Sequence, residues 1–274
     1  MTATRSSTPA TDAARASVFP LATAAAARVG SAQAGLGIAW RFPALPDAVA
    51  EAVRSAFGVT IVSDDEAEDP RDLPAFAALH AHARAEQIVR ALARRTNLVL
   101  PAASALVIGD GPVAEVIAAI LSRGGTRVVR GIDDPVARLR AHLSGVRTVV
   151  APWPHTDLVI TTGEQSALHL VAPLLAQGPE HAPASGVFID ASLDPAQTLD
   201  PAQTGDPAKA VRPFVTKTGE RAWHVEAPGV YEAGGGASDR PTRIADALVA
   251  LSILRAGTKD ADEADTVLAE LVLA

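Results

Sequence analysis

Five consecutive residues, Gly109-Asp110-Gly111-Pro112-Val113, have the types and spacing to hold an anion against bare backbone. Glycines at 109 and 111 permit a sharp turn and let a phosphate approach with no Cβ in its way. Pro112 suits the first position of a helix, where an N–H has no intrahelical partner to lose. The amides and positive dipole end of such a helix favour a phosphate. The third glycine of the dinucleotide fingerprint is replaced by Ala114, still small enough for a helix to pack closely on a strand. Two more groups could share the site: the acids Asp133 and Asp134, and the turn Thr161-Thr162-Gly163.

The flanking elements are those that such a turn needs. The apolar run Ala105–Ile108 predicts a strand into Gly109, and Val113, Val116, Ile117, Ile120 and Leu121 recur at helical spacing after it. Gly124-Gly125 breaks the helix, and Val128-Val129 begins a second strand that ends near the acids. Strand, glycine turn, helix, strand and acid is the order of a dinucleotide-binding unit.

Other reactive side chains carry less. Ser166 and His169 lie one helical turn apart with Asp157 nearby in sequence, but no sharp nucleophile turn or oxyanion hole is signalled, so they read as helix-surface residues. His155, on the proline-flanked loop with Trp153, is a candidate general acid–base if that loop overhangs the crevice, against the simpler reading of a solvated loop residue. The acidic run Asp64–Asp69 lacks calcium-loop spacing and reads as a solvated turn. His80 and His82, two apart on a helix, point to different faces and read as surface or boundary residues.

Along the chain, residues 1–17 read as a disordered leader and 18–97 as a small α/β region ending in a long helix from Leu73 to Thr96. Residues 98–240 form the dinucleotide-binding domain, and 241–274 two C-terminal helices. Further strands are expected at Val146–Val150, Asp157–Ile160, Gly186–Ile189 and Arg221–Glu226. Alternation of strands and helices predicts an α/β fold: a Rossmann-type, doubly wound parallel sheet with a small N-terminal α/β region and C-terminal helices. Ligands of such sheets bind beyond the carboxyl ends of the strands, which gathers Gly109–Val113, the acids after Val129, Thr161–Gly163 and Asp190 around one crevice.

Composition narrows the function classes. A net charge of −7 over 274 residues leaves no basic footprint and argues against nucleic acid. With no cysteine, disulfides, thiolate nucleophiles and cysteine metal sites are excluded, which fits a cytoplasmic protein. No run of about twenty apolar residues could span a membrane. A small-molecule ligand, no metal, and a homodimer are the default expectations.

Several segments together resemble the cofactor domain of adenosylhomocysteinase. They are Arg94-Arg95-Thr96-Asn97 before a strand, Gly109-Asp110-Gly111, Asp134-Pro135 opening a helix, Ile160-Thr161-Thr162-Gly163, and Val187–Asp190. Arg240-Pro241-Thr242 sits where that family has a Gly-His-Pro segment; the likeness covers about residues 85–256. It implies a Rossmann domain binding NAD through Gly109, Asp110, Gly111, Pro112, Val113, Thr161, Thr162 and Gly163. The departures are specific. The family's ribose-binding Glu falls on Ile132, leaving Asp133 to reach the ribose after a shift of the turn, and Arg130 keeps NADP open. Its cofactor-binding Asn is Glu164, and its proton-transferring Lys and Asp fall on Ala77 and Leu79. The N-terminal region is shorter than that family's substrate domain, and its Lys- and Tyr-containing tail has no match before Ala274. Three readings follow: a divergent NAD(P)-binding relative acting on a nucleoside or other small metabolite, a small NAD(P)-dependent dehydrogenase, or a non-catalytic dinucleotide-binding module.

Overall fold

In the computed structural model the described residues are 18–30, 36–42, 45, 47–95, 99–150, 156–162, 187–191, 215–216, 219–220, 222–224, 243–258 and 260–274. The expected leader, 1–17, lies outside them. The chain forms two compact units, one of Met1–Ala83 with Pro228–Ala274 and one of Arg84–Ala227. Among the described residues no helix is long and apolar enough to cross a membrane.

The first unit contains helix α1 (Pro20–Val29), strand β1 (Leu36–Trp40), helix α2 (Asp47–Phe57) and strand β2 (Val59–Ser63). It also holds the start of helix α3 (Pro74–Arg95) and helices α6 (Arg243–Thr258) and α7 (Ala261–Leu273). Strands β1 and β2 pair in parallel, Leu36 opposite Val59 through Trp40 opposite Ser63, so α2 is their crossover. α6 is mostly apolar and is buried on every side from Ile244 to Leu254. It runs so close to α1 that a Cβ on Gly257 would sit 2.5 Å from Cγ1 of Val29.

Two polar devices fix this packing. α1 and α3 both begin with proline, and carboxylates from the far end of the chain cap them. Asp246 accepts from the backbone N–H of Leu21 and Ala22, each at 3.0 Å. Asp265 accepts from Ala75 at 2.7 Å and Phe76 at 2.9 Å. Both acids are nearly fully buried. Burial pushes the Asp246 carboxyl above its ordinary range, outweighing the two hydrogen bonds that oppose it. Elsewhere Ser252 accepts from the indole N–H of buried Trp40, and Arg255 covers the same ring at 4.4 Å while pairing with Glu68.

In the acidic run 64–69, Asp64, Asp65, Glu66 and Glu68 are exposed, as a solvated turn requires. Asp69 is buried, and bonds to Arg71 hold its carboxyl below the ordinary range although burial acts the other way. His80, expected at a surface or boundary, is 7% exposed and packed against both Phe42 and Phe76, whereas His82 is exposed. One face of α3 meets the core at this point, which two-residue spacing alone does not reveal.

The second unit contains strand β3 (Ser104–Ile108), helix α4 (Pro112–Arg123), strand β4 (Arg127–Gly131), helix α5 (Pro135–Leu143) and strand β5 (Thr148–Val149). Strands β6 (Leu158–Thr161), β7 (Val187–Asp190), β8 (Val215–Thr216), β9 (Gly219–Glu220) and β10 (Ala222–His224) follow. Six strands make one sheet in the order β10-β7-β6-β3-β4-β5, and every pair in it is parallel. Numbered within that sheet this is 6-5-4-1-2-3, the doubly wound Rossmann order. The central strands are mostly apolar: Ala105–Ile108, Leu158 and Ile160 are fully buried, as is usual in a parallel sheet. α4 turns Val113, Ala114, Ile117, Ala118 and Leu121 inward. The short antiparallel hairpin β8–β9 is an element that the sequence pattern did not signal.

At the amino ends of β3 and β6, Asp157 accepts from the N–H and hydroxyl of Ser104, both at 2.8 Å. These bonds hold its carboxyl below its usual 3.8. Asp157 is therefore a clamp between strands, at the edge opposite the glycine turn.

Two stability outcomes follow. Asp246→Ala leaves two buried N–H groups without an acceptor and should cost about 2 kcal/mol or more in urea denaturation; an unchanged midpoint would remove the capping role. Ser104→Ala should cost about 1 kcal/mol at neutral pH. Because the folded carboxyl of Asp157 is depressed, its contribution exists above the unfolded value of 3.8 and is lost as pH falls through the folded value. The gap between wild type and Ser104→Ala should accordingly narrow below about pH 4.

Candidate functional site

The strand order places a crevice at one point. From β3 the chain proceeds to β4 on one side, and from β6 to β7 on the other, so the carboxyl ends of β3 and β6 diverge from adjacent positions. This is the switch point at which open α/β sheets bind ligands. The residues singled out from sequence meet here. Gly109, Asp110 and Gly111 join β3 to α4, Pro112 is in the first turn of that helix, and Val113 is buried behind it. Thr161 ends β6, Thr162 follows it, and Asp133 lies exposed just past β4. Gly163 lies outside the described residues, as do His155, Trp153, Glu164, Ser166 and His169.

Gly109 carries the local geometry. Its φ is +150°, a region L side chains rarely adopt. A Cβ there would land on the Thr162 hydroxyl and lie 3.0 Å from the Cβ of Ala114. The β6 end is bonded to the same place: Thr162 donates its backbone N–H to the Ile108 carbonyl at 3.1 Å, and the Gly109 N–H reaches the Gly131 carbonyl at 3.2 Å. Ala114, in the third glycine's place, thus packs directly against the turn. Gly111 differs. As N-cap of α4 it has φ −87° and ψ 179°, extended backbone open to any residue, and no side chain caps the helix from that position. Glycine at 111 is therefore not a demand of the turn's own conformation.

Charges around the turn are uneven. Arg130, near the end of β4, is 2% exposed; it donates to the Gly109 carbonyl at 2.9 Å and lies 3.9 Å from Glu115 of α4. The cation that left NADP open in the sequence thus holds the glycine turn. Asp134 caps α5 through the N–H groups of Val136 and Ala137, at 2.6 and 2.8 Å. Ile132 is 1% exposed, which leaves Asp133 as the acid presented past β4. Asp110 sits within the turn. Burial raises its carboxyl, Asp134 and Asp133 add to the rise, and its own backbone N–H and Arg130 oppose it. Its Oδ1 is buried without a hydrogen-bond partner among the described residues.

Two residues have roles that sequence reasoning did not assign: Arg130, read there only as a cation for NADP, and Arg84. Arg130 stands in an apolar strand, and that misplaced cation was the available signal. Arg84, on α3, is 2% exposed and donates to the carbonyl of Ala191 just past β7; an arginine among alanines on a long helix carries no such signal.

No protein-family model matches the chain, and no curated protein matches it. Among solved structures it is similar to a dipicolinate synthase component from Bacillus halodurans, at 19% identity and TM-score 0.42, covering 58% of this chain and 51% of that one. It is also similar to the corresponding dipicolinate synthase component from Bacillus subtilis, at 16% identity and TM-score 0.44, covering 85% and 65%. L-tryptophan dehydrogenase from Nostoc punctiforme gives 12% identity and TM-score 0.38, covering 83% and 64%. The chain spans between half and two thirds of the length of these proteins. At such identities and scores they carry nothing about chemistry, and the functional reading rests on this chain's own strand order and turn.

Gly109→Ala adds backbone strain to a collision with Thr162 and should cost more than about 2 kcal/mol. Urea denaturation of the purified variant measures it. A cost below about 0.5 kcal/mol, the range of ordinary surface substitutions, would show that the turn does not need glycine there.

Proposed function

We propose that this chain binds a nicotinamide adenine dinucleotide at the carboxyl edge of its six-stranded sheet and serves redox chemistry on a small metabolite. The observation that carries the reading is the glycine turn, with Gly109 held free of any Cβ, at the switch point of a 6-5-4-1-2-3 parallel sheet. Gly109, Asp110, Gly111, Pro112 and Val113 would receive the pyrophosphate at the start of α4, with Asp133 for the adenosine ribose and Thr161, Thr162 and Gly163 across the crevice. The dinucleotide supplies a hydride acceptor or donor when bound. The engagement of Arg130 with Gly109 favours NAD over NADP, because the nearest cation already serves the turn. The likeness to the adenosylhomocysteinase cofactor domain makes adenosine-bearing metabolites the first substrates to try, while Ala77 and Leu79 argue against that family's own proton transfers.

A thermal-shift panel of NAD, NADH, NADP, adenosine and adenosylhomocysteine tests the reading. A ligand at a hundred times its dissociation constant adds about 2.7 kcal/mol, so NAD or NADH should raise the midpoint clearly. Gly111→Val should abolish that rise while leaving the midpoint of the free protein nearly unchanged, since Gly111 has backbone angles that valine adopts. No shift with any dinucleotide at millimolar concentration would end this reading.

A further inference from the structure

A cation too buried to meet a ligand lies against the glycine turn. Arg130 is 2% exposed, and its Nη2 donates to the Gly109 carbonyl at 2.9 Å. That carbonyl belongs to the Gly109–Asp110 peptide. In a trans peptide the N–H points opposite to the C=O, so a carbonyl held toward β4 turns the Asp110 N–H away from it. The preceding peptide is fixed differently: the Gly109 N–H bonds to the Gly131 carbonyl at 3.2 Å, continuing the pairing of β3 with β4. Glycine on one side of the Gly109–Asp110 peptide leaves its rotation nearly unhindered by side-chain sterics. Reversed, that peptide would present a carbonyl oxygen where an anion needs a donor. The surrounding charges sharpen the requirement. Asp133 and Asp134 act electrostatically on Asp110, and Glu115 lies 3.9 Å from Nη1 of Arg130. Arg138, a second cation past β4, is directed to the Ile132 carbonyl at 3.5 Å.

We propose that Arg130 is a positioning residue for a bound phosphate: it locks the Gly109–Asp110 peptide with its N–H, not its carbonyl, toward the anion. The proposal rests on the dinucleotide reading above and adds which residue gives the glycine turn its polarity. Arg130 touches no ligand and acts through the peptide that it holds. Its bond to the carbonyl is charge-assisted, so it polarises the same peptide and strengthens the Asp110 N–H as a donor. In the free protein the acceptor at that N–H is the Asp110 carboxylate, and a phosphate oxygen takes over the bond. A donor fixed before the ligand arrives adds no ordering cost on binding.

Calorimetric titration of the full chain with NAD, at a temperature well below the thermal midpoint of each protein, tests the lock without unfolding entering the result. Arg130→Met keeps much of the side-chain length and suits an apolar strand, but offers no donor to the carbonyl. It should bind NAD about tenfold more weakly or worse, the worth of one hydrogen bond from a charged group. Arg130→Lys retains a charged donor and should recover part of that loss; a merely structural role would move the midpoints of both variants and leave their NAD affinities alike. Glu115→Gln removes the neighbouring acid, leaves the carbonyl contact and should bind NAD at least as tightly as wild type. Weaker binding by Glu115→Gln would place the effect in the ion pair and overturn the lock, and this exposed position answers even if the variants at 130 do not fold. NAD binding by Arg130→Met equal to wild type, or no recovery in Arg130→Lys, would overturn the role of Arg130 and leave the dinucleotide reading standing. Absence of NAD binding by wild type would overturn the two together.

Discussion

The carboxyl edge of the parallel sheet depends on how closely the Gly109 backbone lies against Thr162. The approach leaves no room for a Cβ, and it joins the ends of two adjacent strands whose chains then diverge. Three hydrogen bonds hold the arrangement from different sides: Thr162 to Ile108, Gly109 to Gly131, and Arg130 to Gly109. One peptide is thus tied to β3, β4 and β6 at once. Once it is fixed, the start of α4 is fixed with it. Preorganisation of this kind lowers the ordering cost of binding.

Arg130 matters to that arrangement more than its sequence position suggests. A guanidinium buried in a strand is costly unless its donors are used. Here Nη2 donates to the Gly109 carbonyl and Nη1 lies 3.9 Å from Glu115. A cation meant to receive a second phosphate would need its fork facing the crevice.

Much of this was legible in the sequence because it rests on local rules. The strands around Gly109 follow from apolar runs, the start of α4 from Pro112, and the start of α5 from Pro135, whereas Asp134, read as an acid near the site, caps α5. Alternating elements indicated a parallel sheet. What could not be read are contacts between residues far apart. Asp246 caps α1 across 224 residues and Asp265 caps α3 across 189; in sequence each is an acid on an apolar helix. His80 gave the same difficulty, since only the fold places Phe42 beside Phe76. The residues of the candidate site divide along the same line. The glycine turn is a local motif, whereas the roles of Arg130 and Thr162 depend on which strands become neighbours.

The buried and half-buried acids, set side by side, show why Asp110 stands apart. Asp246 and Asp157 each accept two hydrogen bonds from other residues, yet their carboxyls move in opposite directions. Burial decides the difference: it is nearly complete at Asp246 and slight at Asp157. Asp134 and Asp265 likewise each hold two helix amides. Each of these four acids has its negative charge answered by donors that the fold supplies, which is what a structural carboxylate requires. Asp110 has only its own backbone N–H as a direct donor among the described residues, weak help from Arg130, and two further acids acting against it. Helix caps and strand clamps do not leave an acid in that condition.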